Sequence, residues 1–165
     1  MSWVEHFRLK YAYNEWANGK VLGAAAGLSD EELLAERQGS YGSLANDLSH
    51  IVRVQYAWHS VVTETQFSPP PELPETGVLP ALTSWFDDSH RKLREMADSF
   101  SEEWLTATVH PSRGGKTYDM IRWHVLEHLA NHGTTHRAEI GIALLGLDRS
   151  PGDLDFIDYA QGNVT

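Results

Sequence analysis

The sequence predicts an all-α fold, a four-helix bundle with long connections, and three observations predict it. Apolar residues recur at three- and four-residue spacing through four stretches of roughly 20 to 27 residues. Proline- or glycine-containing segments separate those stretches. The chain has 165 residues, enough for one core, so residues 1–165 read as a single domain. A small hairpin before the last long helix and a short C-terminal helix complete the expectation.

The first helix spans about Ser2 to Leu28, with Val4, Phe7, Tyr11, Asn14, Asn18 and Val21 on one face. "LSDEELLAERQGSYG" follows, where Ser29 caps a short helical turn and glycines close it. The second helix runs from about Ser43 to Thr65. "FSPPPELPETG" holds Pro69, Pro70, Pro71 and Pro74, and a segment so rich in proline is a loop. The third helix fits Leu79 to Phe100, entered through Pro80. "TATVHPSRGGKTYD" reads as two short extended pieces around Pro111, Gly114 and Gly115. The fourth helix spans about Tyr118 to Leu145 and stops at Gly146, and a last short helix starts near Asp153.

Composition narrows the function. Lys and Arg total 13 against 23 Asp and Glu, a net charge of -10. Such a surface repels phosphate backbones and anionic lipid, so neither a nucleic-acid nor a membrane partner is expected. With no cysteine there is no disulfide, no thiolate nucleophile and no thiolate-bound zinc. The first residues carry no apolar leader and no apolar run approaches ~18 residues, so a cytoplasmic location is expected.

"WHVLEHLANHGTTHR" carries a histidine at every fourth position: His124, His128, His132 and His136. On a wheel with His132 at zero, Ile121, Val125, Leu129 and Ala143 centre the apolar face close to His132. His136 then lies at about +40°, His128 at about -40° and His124 at about -80°. His132 and His136 therefore point inward, His128 sits on the shoulder and His124 at the edge. Spacing alone leaves two readings: a pair of metal ligands, or neutral core histidines that must each find hydrogen-bond partners. A facing ligand is offered by the second helix, where His50 lies on one shoulder of the apolar face and His59 beyond the other, so periodicity leans slightly toward His50.

Three blocks, "YNEWANGKVL" (13–22), "LSHIVRVQYAW" (48–58) and "HLANHGTTHRAEI" (128–140), together resemble the DinB/YfiT-like family of metal-dependent four-helix bundles. The NHxxxHR element, Asn131 to Arg137, is the most specific part. The resemblance covers nearly the whole chain and implies one divalent ion, zinc or nickel, held by His50, His132 and His136. This sequence departs at Thr135, where many relatives place a second histidine, and at Ala138–Glu139, where many have Gly-Gln or Ala-Gln. Neither change removes a ligand of the implied set. Bundles of this family often dimerise, which makes a homodimer a candidate assembly.

Three neutral imidazoles leave an ion its double charge and at least one open position, the pattern of a catalytic site. A zinc-bound water falls to a pKa of about 7. A small-molecule thiol could take the same position, since some relatives are transferases or isomerases that use such thiols. The expected partner is thus a small-molecule substrate, acted on by a hydrolase or by a thiol transferase. A metal-stabilised binding or sensing domain is the alternative, with Glu139 or His128 filling the shell. Glu139, Asp47 and His128 are the candidates for proton transfer or ligand support. HExxH is absent, because Leu129 follows His128 and Gly133 follows His132. Non-haem iron is disfavoured without a ligating carboxylate. Asn14 and Asn18 read as structural. His6, His59, His90 and His110 read as ordinary surface or edge residues.

Overall fold

A computed structural model describes residues 1–38 and 41–163. Its long helices are α1 (Trp3–Ala25), α3 (Leu44–Thr63), α4 (Val78–Asp98) and α6 (Arg122–Leu145). The short helices are α2 (Asp30–Leu34), α5 (Glu102–Thr106) and α7 (Phe156–Gln161). Helix α6 packs on α1 and α3, and α4 packs on the same two from the other side, which closes a four-helix ring. The expected all-α bundle is therefore present.

Local chemistry explains the helix starts. Ser2 and Ser29 each form a capping box, with Glu5 and Glu32, and Ser43 accepts from the Asn46 amide at the head of α3. Helix α4 has no side-chain cap. Instead the Asp30 carboxylate accepts from the Gly77 and Val78 amides, which ties α2 to that start. Helix α5 was not anticipated, although Ser101 caps it by accepting from the Trp104 amide and two glutamates follow.

The hairpin forms as expected. Four two-residue strands, β1 (Thr108–Val109), β2 (Ser112–Arg113), β3 (Lys116–Thr117) and β4 (Met120–Ile121), pair as β1 with β4 and β2 with β3. Gly114 and Gly115 both have positive φ, the backbone that a tight two-residue turn requires. The hairpin corrects one boundary: the last long helix starts at Arg122, not at Tyr118. Met120 pairs with Val109, and Ile121 with Thr108, so both are extended.

The core has two apolar layers. One gathers Val21, Leu48, Ile51, Leu82, Phe86, Ile140 and Leu144. The other gathers Phe7, Tyr11, Leu93, Phe100, Val125 and Leu129. Along every long helix the residues between those layers are polar or small. They are Asn14 and Asn18 on α1, Gln55 on α3, Ser89 and His90 on α4, and Gly133 and Arg137 on α6, with the polar members buried. Among the described residues no helix is long and apolar enough to cross a membrane.

Candidate metal centre

The polar layer decides how α6 is rotated. The buried residues of α6 are Val125, Leu126, Leu129, Ala130, Gly133, Arg137, Ile140 and Leu144. On the wheel with His132 at zero they centre near +100°, about the direction of Gly133. This corrects the expectation that His132 and His136 face the middle of the core. A wheel weighted by apolar residues missed the shift because the centre is held by an arginine and a glycine.

Arg137 is 1% exposed. Its Nη1 donates to Asn14 Oδ1 at 2.7 Å and Asn18 Oδ1 at 3.0 Å, and its Nη2 donates to Thr134 Oγ1 at 3.3 Å. The guanidinium also lies 5.4 Å from the Tyr13 ring centroid. Gly133 makes room for this group, since a Cβ there would sit 2.7 Å from both Arg137 Nη1 and Asn14 Oδ1. Asn14 and Asn18 are structural, as expected, but they anchor a side chain. His90 corrects the surface reading: it is 6% exposed and its Nε2 lies 3.0 Å from Asn18 Nδ2. Burial pulls its pKa down to about 4.

That rotation carries His132 and His136 to the edge of the buried stripe, in the groove beside α3. There they meet His50. One ring nitrogen from each of the three lies within 4.8 Å of the others, and all three side chains are partly buried. His50 Nε2 and His132 Nε2 are 3.0 Å apart. His136 Nδ1 is 2.7 Å from Glu139 Oε2. An ionised carboxylate only accepts, so His136 Nδ1 is the donor in this contact, which leaves Nε2 as the nitrogen available to a metal. His132 Nδ1 is buried with no hydrogen-bond partner among the described residues.

Electrostatics favours the neutral form of two of these rings, His50 and His132. Burial, followed by the neighbouring His136, lowers the pKa of His50, while Asp47 opposes the shift. Burial and then His136 and His50 push His132 down to about 4. Neutral imidazoles are the form that binds metal.

The donor set fits a divalent ion. Two nitrogens ~2.0–2.1 Å from a tetrahedral ion stand about 3.3 Å apart, close to the observed spacing. His50 Nε2 also lies 2.9 Å from Tyr41 Oη, so one nitrogen with one lone pair or one proton faces two partners. A shared cation satisfies such convergence better than hydrogen bonds do. All-imidazole donors suit zinc, nickel and copper.

The remaining candidates fall outside the triad. Glu139 supports His136 from the outer side, as a carboxylate behind a ligand ring does. Asp47 is buried, and its Oδ1 accepts from the Tyr41 amide at 2.9 Å. His128 is exposed, with its ring 5.3 Å from that of Trp58 and 5.8 Å from that of His132. His124 is exposed beside Trp123. Tyr41 was not anticipated. Its ring stacks on His50 with centroids 3.9 Å apart and planes 20° apart. The single signal for it was a tyrosine just ahead of the Ser43 cap, nine residues before His50.

The model of the DinB family matches residues 3–163. The chain belongs to the DinB family. No curated protein matches it. Family membership and the three-histidine group together support a metal-associated site, which nothing so far assigns to one element.

Proposed function

We propose that this DinB family protein is a metal-dependent transferase that activates a small-molecule thiol at His50, His132 and His136. The observation that carries the proposal is the convergence of three imidazoles in the groove between α3 and α6, two of them, His50 and His132, held toward the neutral form by burial. A divalent ion held there supplies positive charge that deprotonates a coordinating thiol outright.

Two features favour a thiol over water as the nucleophile. Both carboxylates near the group are engaged: Glu139 holds the His136 ring and Asp47 holds the Tyr41 backbone. A thiol of pKa near 8.5 needs less assistance than water, which must fall from about 15.7. The chain has no cysteine, so the thiol arrives as a cosubstrate. Zinc or nickel is the proposed ion.

The test supplies dithiothreitol and a bimane electrophile to protein loaded with zinc or nickel. Thiol addition accelerated by the wild type and lost in His132→Ala supports the transferase. Ester or amide turnover that needs the ion but no thiol would make the protein a hydrolase. A loaded site with neither activity would favour the metal-stabilised binding domain.

A further inference from the structure

We infer that Tyr41 supplies a fourth, displaceable oxygen ligand to the ion held by the three histidines. The inference rests on the metal reading above and adds a residue to it.

Four observations place the phenol there. Tyr41 is anchored at its backbone: its amide donates to Asp47 Oδ1 at 2.9 Å, and its carbonyl accepts from Asn46 Nδ2 at 3.1 Å. The near-parallel stack on His50 then fixes the direction of the ring. The hydroxyl reaches His50 Nε2, the nitrogen that also faces His132 Nε2. Its ring centroid is 5.7 Å from that of His136, so the phenol borders two of the three rings, and the third, His132, packs on His50.

The competing donors have other positions. Glu139 is bound to Nδ1 of His136, on the outer side of that ring, and Asp47 is spent on the Tyr41 amide. The Tyr41 hydroxyl is therefore the oxygen placed on the His50 nitrogen that also faces His132. It also answers a charge problem, because three neutral imidazoles leave a divalent ion uncompensated in a half-buried groove. Coordination as phenolate releases one proton to solvent and halves that charge. Tyr41 is 46% exposed, so the ring can leave without opening the core. An incoming thiol takes the position that it vacates.

The test loads wild type, Tyr41→Phe and His132→Ala with one equivalent of copper(II), which heads the affinity order for such sites. Copper bound by a phenolate gives a charge-transfer absorption band in the visible. The expected result is one copper per chain with that band in wild type. Tyr41→Phe should keep the copper and lose the band, with affinity lowered about 10–100-fold. His132→Ala should lose both. Stoichiometric copper in wild type without the band, or a band that survives in Tyr41→Phe, overturns the Tyr41 assignment and leaves the triad standing. Failure of wild type to bind copper overturns the triad as well. Tyr41 is largely exposed, so a folding defect in Tyr41→Phe is not expected; unchanged far-ultraviolet dichroism confirms this.

Discussion

On one face of α6, His132 and His136 meet His50 across the groove to α3. About 100° around the same helix, Gly133 and Arg137 meet Asn14 and Asn18 in the sealed centre. Both clusters are polar and both bridge α6 to a neighbour. In the central cluster donors meet acceptors: the guanidinium gives three hydrogen bonds to three neutral oxygens. In the groove, one ring nitrogen from each of three imidazoles lies within 4.8 Å of the others, and a phenol oxygen joins them at His50. The first arrangement ties α6 to α1 through protein atoms alone, although Arg137 Nε and Asn14 Nδ2 are buried without a hydrogen-bond partner among the described residues. The second gathers the nitrogens that a cation would use.

The comparison can be broken from the central side first. Arg137→Ala removes three hydrogen bonds and leaves a cavity between the two apolar layers. It should cost about 3–5 kcal/mol in urea unfolding, the largest effect anticipated here. Below its lowered melting temperature the variant should still retain zinc. Loss of zinc from the folded variant would show that the two clusters are not separate.

Acidification should strain the central side next, through His90. Its folded pKa of about 4 lies below the ordinary 6.5, so the unfolded chain takes the proton first. The stabilisation is complete above pH 6.5 and is lost as pH falls toward 4. Burial dominates this shift; Glu15 and Asp87 oppose it, while Arg94 and Arg137 reinforce it. Stability measured against pH should show a loss of at most about 3 kcal/mol across that window. His90→Gln should flatten this part of the profile. An unchanged slope in the variant would remove His90 from the account.

The smallest effect belongs to the groove. Glu139→Gln leaves a neutral partner on His136 and should weaken zinc binding about 10–100-fold, read by competition with a chromophoric chelator. Melting of the metal-free protein should move little, because Glu139 is exposed. A large stability loss with unchanged zinc affinity would reverse the roles assigned to the two clusters.

Much of this was legible in the sequence. Serine caps, a proline-rich loop and the Gly114–Gly115 turn are local signals, and the helices and hairpin they predict are present. The histidine set came from resemblance on three blocks, since spacing alone leaned only slightly toward His50 over His59. The rotation of α6 was not legible. Its centre depends on Asn14 and Asn18, more than a hundred residues away, which make a buried arginine tolerable. The same holds for His90, whose partner Asn18 lies on another helix. Tyr41 escaped because a loop residue has no periodicity to reveal its direction. The start of α6 was misplaced because the pairing of Met120 with Val109 overrides the helical pattern that Ile121 continues.

The central claim is that the groove between α3 and α6 holds an ion. The most direct test measures metal by plasma mass spectrometry in wild type and His132→Ala, both purified without a metal-affinity tag. About one divalent ion per chain in wild type, lost in the folded variant, is the predicted result. No ion in wild type after equilibration with zinc and nickel, or equal content in both proteins, would contradict it.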